Sequence, residues 1–207
     1  MPNIARGVRE PPGGYADLMK QAYADELLLT LKRAGSVLKG TGVPFALAGS
    51  FAAYAHGGAS SDHDVDFLVR HQDLDTIVGA FTDAGFRIEH PPEDWLVKAY
   101  DGHQLVDLIY RPIEIPVTDE TLEQASMMSV GPLSLPVLSA TQLMVHKLLT
   151  YDQHYCDFAQ GLQMARSLRE KINWIQVRQD TKNSPYAAAF LVLVHLLGLA
   201  PETVPQG

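Results

Sequence analysis

The sequence predicts an α/β (α+β) fold, in which helices flank a mixed β-sheet and a C-terminal helical bundle follows. Three observations support this prediction. Short apolar segments of strand character alternate with helical segments up to about residue 110. A connection rich in proline comes next, and the segments beyond it have helical periodicity. We therefore place an α/β domain in residues 1–136 and a helical domain in residues 137–207.

The N-terminal part is predicted to contain an arm and a long helix. Residues 1–14 lack periodicity, which is typical of a loose arm. From Tyr15 to about Leu38, apolar residues recur every three or four positions. This spacing predicts an amphipathic helix that ends at Gly40 and Gly42.

The sheet is predicted from short segments that follow one another along the chain. Strands are predicted at 45–48, 65–69 and 86–89, and a hairpin joins 95–100 to 104–110. One helix is predicted from about Ser50, and a second helix has Asp73 as its N-cap. After residue 111, several prolines predict a looped connection with at most short strands.

Capping signals locate the helices of the second half. Ser139 is followed by glutamine three residues later, as in a capping box, and predicts a helix through about Tyr151. Further helices are predicted near 155–170 and 173–181. Ser184-Pro185 predicts the start of the last helix, with serine as the cap and proline in the first turn.

Composition limits the classes of function. The chain has 207 residues and a net charge of −8, which argues against a protein that coats nucleic acid through diffuse electrostatics. The single cysteine, Cys156, cannot form an intramolecular disulfide, and no secretory leader is recognised, so a cytoplasmic protein is expected. The longest apolar run is too short to cross a bilayer, and no membrane association is expected.

Two acidic residues occur in a segment of strand character. Within 64–69, strand alternation places Asp64 and Asp66 on one face and the apolar Val65 and Phe67 on the other. Neighbouring carboxylates repel each other unless a cation lies between them. Oxygen ligands suit Mg²⁺ or Mn²⁺, so the pair predicts a metal site. The alternative is a pair of surface carboxylates on an edge strand.

A third carboxylate and a Gly-Ser turn complete the pattern. Asp107 lies in the apolar segment 105–109, where a buried charge needs a partner such as a shared metal ion. Gly49-Ser50 lies between a predicted strand and a predicted helix. Backbone N–H groups at such a helix start, together with the positive end of the helix dipole, can hold a phosphate.

These residues together resemble the nucleotidyltransferase fold of the DNA polymerase β superfamily. A short strand ends in Gly49-Ser50, thirteen residues follow, and then come Asp64 and Asp66 and a later strand with Asp107. The resemblance implies that Gly49 and Ser50 hold the triphosphate of a nucleoside triphosphate. It also implies that the three aspartates bind Mg²⁺, that Asp107 activates the attacking hydroxyl, and that pyrophosphate leaves in a two-metal in-line displacement.

A lysine in the first C-terminal helix lies on the apolar face of that helix, where a charged residue is not expected. Lys147 follows Leu143 by four residues and so lies within the apolar stripe, where it needs an anion or must extend its amine to solvent. The stretch from Lys147 to Asp157 resembles a segment of the AbiEii and MenT-like nucleotidyltransferase toxins. That resemblance implies that Lys147 contacts the nucleotide phosphates and that Asp157 has a supporting or catalytic role.

The resemblance to these toxins implies an enzyme that transfers a nucleotide, from ATP or another triphosphate, to RNA. The tRNA 3′ end would be the acceptor and an antitoxin protein the partner. One alternative is a small-molecule transferase of the aminoglycoside-modifying type, and another is phosphoryl transfer to a protein hydroxyl. A third is a catalytically inactive binding module of the same fold.

Other polar and aromatic residues have less defined roles. The role of Asp62 is left open, and His63 is expected to face away from Asp64 on the strand. Three further histidines have no second ligand at a metal-binding spacing and are not expected to bind zinc: His146, His154 and His195. Three aromatic residues are predicted to belong to the core, with a base-stacking platform as the alternative: Trp95, Tyr100 and Tyr110.

Overall fold

The structure of the protein is a computed structural model that describes residues 15–58 and 64–201, with side chains from Tyr23 onward. The predicted N-terminal arm, Asp62 and His63 lie outside the described residues. The α-helices of the described part are α1 Tyr15–Thr41, α2 Gly49–Ala55, α3 Leu74–Asp83, α4 Asp119–Glu123, α5 Ala140–Leu149, α6 Phe158–Leu168, α7 Trp174–Asp180 and α8 Pro185–Leu196. The strands are β1 Phe45–Leu47, β2 Val65–Val69, β3 Arg87–Glu89, β4 Leu96–Asp101, β5 Gln104–Ile109, β6 Ser126–Val130 and β7 Leu133–Val137.

The strands form one seven-stranded mixed sheet in the order β3-β4-β5-β2-β1-β7-β6. β2 runs parallel to β5, and β1 runs parallel to β7, whereas the remaining neighbours are antiparallel. Apolar β2 and β5 lie at the centre of the sheet, and Val65, Phe67 and Leu108 are fully buried. The prediction of a mixed sheet flanked by helices is confirmed, and so is the presence of C-terminal helices.

The connection after residue 111 is more regular than the sequence predicts. It contains the short helix α4, which Thr118 caps by accepting a hydrogen bond from the Thr121 backbone N–H. It also contains the β6–β7 hairpin, which forms one edge of the sheet, with β7 next to β1 and β6 outermost. Pro136 is tolerated in β7 because β7 meets β1 only at Val137, which pairs with Leu47.

Most of the predicted helix starts are confirmed by side-chain caps. Ser139 Oγ accepts from the Gln142 backbone N–H at 3.2 Å, and Ser184 Oγ accepts from the Ala187 backbone N–H at 3.2 Å. Asp73 occupies the cap position of α3 but makes no capping hydrogen bond. Its carboxylate accepts from Arg70 Nε at 2.6 Å instead, so the prediction of a side-chain cap at this position is wrong.

Two hydrophobic clusters fill the interior. One lies between the sheet and helices α1, α2 and α3, and the other joins α5 to the remaining C-terminal helices. Helix α5 contributes to both, since Leu143 packs in the first cluster and Met144 in the second. This helix therefore holds the C-terminal helices against the sheet. In the described ranges, no helix is both long and apolar enough to span a membrane.

Candidate active site

The three predicted carboxylates meet at the centre of the sheet. Asp66 in β2 is the register partner of Asp107 in β5, and Asp64 immediately precedes β2 on the same face as Asp66. Each of these carboxylates offers an oxygen within 4.8 Å of the others. The parallel pairing of two central strands thus produces the cluster that the sequence predicts.

The cluster is electrostatically unfavourable without a cation. Burial, followed by the charges of Asp64 and Asp107, raises the pKa of Asp66 to about 8. Burial and the charge of Asp64 also raise the pKa of Asp107, to about 6, although the charge of Lys98 acts to lower it. The Lys98 Nζ lies 4.0 Å from the Asp107 Oδ1, too far for a hydrogen bond.

These carboxylates fit a divalent cation. The Asp107 Oδ1 is buried and accepts no hydrogen bond from the described residues. A buried carboxylate oxygen without a donor is costly, and a metal ion would satisfy it. Carboxylate oxygens are ligands that suit Mg²⁺ or Mn²⁺, and Asp64, Asp66 and Asp107 would hold the ion.

Gly49 is required beside Asp66 for two physical reasons. Its backbone is in the left-handed region, with φ of +58°. A Cβ atom at this position would overlap the Asp66 Oδ2. Because the Ala48 backbone N–H also donates to the Asp66 carbonyl at 2.9 Å, the turn before α2 lies directly against the carboxylate cluster.

Ser50 follows in the first turn of α2. The cap residue of this helix is Ala48, which provides no side-chain acceptor to the first backbone N–H groups. The predicted pair Gly49-Ser50 therefore stands at a helix start without a side-chain cap and next to the carboxylates.

Lys147 of α5 lines the same cavity as Gly49 and Asp66. Its Nζ donates to Gln160 Oε1 at 2.6 Å and lies 5.8 Å from the ring centroids of both Tyr151 and Tyr155. Burial lowers the pKa of Lys147, and the charge of Asp157 opposes this effect. The lysine therefore lines the cavity while its amine is held by a neutral side chain, Gln160.

Asp157 is exposed and lies apart from the group of three carboxylates. It is the N-cap of α6, where its Oδ1 accepts from the Ala159 backbone N–H at 2.9 Å. The observed contact gives this residue a structural role in starting the helix.

The cavity has a volume of about 460 Å³ and lies between the sheet and α5. Besides Gly49, Asp66 and Lys147, it is lined by residues for which the sequence predicted no role in a site: Arg111, Ile113, Glu114 and Met164. His146, which the sequence predicts not to bind zinc, also lines it, and burial lowers its pKa. Arg111 continues the two-residue alternation of Asp107 and Ile109, a signal that could have indicated its direction.

The predicted aromatic residues have separate environments. Tyr110 is buried, and its hydroxyl donates to Asp94 Oδ1 at 2.8 Å. Tyr100 is partly buried and lies under the Arg87 guanidinium, 4.0 Å from the ring centroid. Trp95, in contrast, is 36% exposed and lines the cavity, so it is not a core residue.

The backbone is strained at one end of the cavity. Asp94, Ile113 and Glu114 are the described non-glycine residues with positive φ, at 48°, 50° and 64°. Ile113 and Glu114 line the cavity directly, and Asp94 precedes Trp95. Such strain is concentrated at binding and catalytic sites, because surrounding contacts must maintain it.

No protein-family model matches the chain, and neither does any curated protein sequence. Solved structures, however, are similar in fold. The antibiotic-resistance factor ANT(2'')-Ia in solution superimposes with a TM-score of 0.58 at 12% identity, covering 84% of this chain and 98% of that protein. Its crystal structure with adenylyl-2''-tobramycin gives 0.54 at 13% identity, covering 80% and 97%.

An antigenic nucleotidyltransferase-like protein from Paracoccidioides brasiliensis matches with a TM-score of 0.50 at 17% identity, covering 83% of this chain and 88% of that one. Each similarity extends over the sheet and continues into the C-terminal helices, as the coverage requires. The chain therefore has the nucleotidyltransferase fold.

Proposed function

We propose that the protein is a metal-dependent nucleotidyltransferase, which transfers a nucleoside monophosphate from a nucleoside triphosphate to an acceptor hydroxyl. The observation that carries this proposal is the cluster of Asp64, Asp66 and Asp107 on adjacent central strands, directly against Gly49. An inactive binding module would have no need for three carboxylates whose charges oppose one another.

Each group has a defined task in this reaction. Gly49, Ser50 and Lys147 bind the triphosphate, and Asp64, Asp66 and Asp107 hold the metal ion. When bound, a divalent cation supplies charge that favours deprotonation of the acceptor and departure of pyrophosphate. The acceptor oxygen forms a bond to the α-phosphorus while the bond from that phosphorus to the bridging oxygen breaks, and Asp107 accepts the hydroxyl proton.

Two acceptors have support. The similarity to ANT(2'')-Ia, whose complex with adenylyl-2''-tobramycin is known, supports a small-molecule antibiotic. The sequence resemblance to toxins supports an RNA acceptor such as a tRNA 3′ end. A toxin role with an antitoxin partner is a prediction from the sequence alone.

Labelled nucleoside triphosphates, incubated with Mg²⁺ and either total tRNA or a panel of aminoglycosides, would identify the acceptor. We expect label on one of the two classes, and no label when EDTA replaces Mg²⁺. The absence of label from every acceptor, combined with the absence of Mg²⁺-dependent nucleotide binding, would refute the proposal.

A further inference from the structure

Arg111 lines the cavity and, within the described ranges, has one donor without an acceptor. Its Nε is buried and donates to no acceptor among the described residues. Its Nη2 is already held, since it donates to the Asp94 carbonyl at 2.6 Å and lies 3.6 Å from Asp94 Oδ2. A charged donor buried without a partner is costly, so a ligand that supplies an acceptor atom would be stabilised here.

Trp95 lies beside this donor. The Trp95 carbonyl accepts from the Arg111 backbone N–H at 3.2 Å, and its side chain, 36% exposed, lines the same cavity. The second tryptophan, Trp174, is instead 4% exposed in the helical core. An exposed indole in a cavity offers a face on which a planar ring can stack.

The order of the strands places Trp95 and Arg111 on the side from which the acceptor hydroxyl would approach the phosphorus. Gly49 follows β1, Asp66 lies in β2 and Asp107 in β5, and these three strands are consecutive in the sheet. In an in-line displacement the leaving group and the attacking hydroxyl lie on opposite sides of the phosphorus. With pyrophosphate leaving beside Gly49, the acceptor approaches over β5 and β4, where Arg111 and Trp95 lie.

We propose that Trp95 and Arg111 bind the acceptor, and that this acceptor is a ribonucleotide unit with a free hydroxyl. Its base stacks on Trp95, and a phosphate or carbonyl oxygen accepts a hydrogen bond from the partly exposed Arg111 guanidinium. The inference rests on the proposed nucleotidyl transfer, because that reaction defines the acceptor side.

The charge of Arg111 favours a nucleotide unit over a polycationic acceptor such as an aminoglycoside. At Arg111 the amines of an aminoglycoside would meet a guanidinium, whereas a phosphate would pair with it. Asp66 also lines the cavity, but the proposed function assigns its charge to the metal ion. Glu114 also lines the cavity, but it is exposed and the ion pair of Arg111 is with Asp94. A nucleotide unit combines a planar ring, which can stack on Trp95, with an anion, which can pair with Arg111. It could come from a free mononucleotide or from the end of an RNA.

Tryptophan fluorescence can test the inference while Mg²⁺ and a transfer-resistant triphosphate analogue fill the nucleotide site. The probes are AMP, the RNA trinucleotide CCA and tobramycin. We expect AMP or CCA to quench the wild-type emission, and Trp95→Phe to remove the change, since Trp174 is buried. The tighter of the two probes identifies the source. Quenching by tobramycin alone, or quenching that persists in Trp95→Phe, would overturn the inference.

The arginine is tested by two variants. Arg111→Gln should lower the affinity for the nucleotide probe by about tenfold or more. Arg111→Lys, which retains the charge, should lower this affinity less. Affinity for the Mg²⁺–triphosphate analogue should stay unchanged in both, which also shows that they fold. Equal weakening of analogue and probe would assign Arg111 to the triphosphate and overturn the inference. Failure of the wild type to bind the analogue would instead refute the proposed function.

Discussion

At the scale of single residues, Asp66 has the least favourable charge in the site. Its pKa, raised to about 8 by burial and by Asp64 and Asp107, means that the carboxyl is largely protonated at neutral pH without a cation. A divalent cation must displace this proton in order to bind. Metal binding at the proposed site would therefore depend on pH, and so would the stability of the metal-free protein.

The metal-free protein should lose stability as pH rises towards 8. Between the usual pKa of Asp, 3.8, and about 8, the folded state binds more protons at Asp66 than the unfolded state does, so the free energy of unfolding falls with pH. Asp107, with a pKa of about 6, acts in the same direction. Denaturant titrations from pH 5 to 9 should show this slope. Asp66→Asn should reduce it, and an equal slope in that variant would refute the assignment.

Gly49→Ala should destabilise the fold and abolish nucleotide binding. Alanine in the left-handed region costs about 1–2 kcal/mol, and the added methyl group would displace Asp66. Gly40→Ala is a matched control, because Gly40 lies in α1 and no described residue beyond its own helical turn comes within 4 Å of where its Cβ would lie. That variant should gain up to about 1 kcal/mol. Thermal unfolding and Mg²⁺–nucleotide titration measure both effects, and normal binding by Gly49→Ala would contradict the close approach.

Lys147→Met should weaken nucleoside triphosphate binding by about tenfold or more without lowering stability. Among the described residues, the ammonium is partly desolvated and its hydrogen-bonding and ring partners are neutral, while the exposed Asp157 acts on it only through charge. Removal of the ammonium should therefore cost the folded protein little. Isothermal titration with Mg²⁺–triphosphate, together with thermal unfolding, checks both statements. A large loss of stability with unchanged nucleotide affinity would indicate that Lys147 serves packing instead.

At the scale of elements, variants at the start of α6 can distinguish a capping role of Asp157 from a catalytic one. Asp157→Ala should cost about 1 kcal/mol of stability through loss of the cap, whereas Asp157→Asn keeps a capping oxygen. If the residue acts only as a cap, the Asn variant retains most of the transfer activity. Loss of transfer in the Asn variant at normal stability would instead assign chemistry to this carboxylate.

The elements that the sequence predicts best are those with strong local signals. β2 and β5 follow from apolar alternation, and α5 and α8 from their serine caps. The β6–β7 hairpin and α4 are underestimated, because prolines usually interrupt strands and the cap of α4 uses Thr121 where glutamate is common. Tolerance of Pro136 depends on strand pairing, which a local pattern does not contain.

The site, too, is predictable from the sequence only where the signal is local. The three aspartates and Gly49 are recognisable because acidic residues interrupt apolar strands at a regular spacing. Arg111 has a weaker signal, because its alternation with Asp107 and Ile109 indicates a direction but not a neighbour. Trp95 is predicted to belong to the core, with base stacking only as the alternative. Their shared position depends on the β4–β5 register and on the strained turn at Ile113, both properties of the folded chain.

At the scale of the whole molecule, a sheet carries the carboxylates and a helical half covers them. α5 belongs to both hydrophobic clusters and also supplies Lys147 to the cavity, so the packing of the two halves determines the geometry of the site. The same combination of sheet and C-terminal helices extends over 98% of ANT(2'')-Ia. The proposed nucleotide and acceptor would therefore bind in the cavity between the sheet and α5.

The most direct test of the central claim is a calorimetric titration of the protein with a transfer-resistant nucleoside triphosphate analogue, with and without Mg²⁺. We expect binding in Mg²⁺ only, with proton release that grows as pH falls from 8 towards 6, and no binding to Asp66→Ala. Equal binding in EDTA, or full affinity in Asp66→Ala, would contradict the metal site and the nucleotidyl transfer built on it.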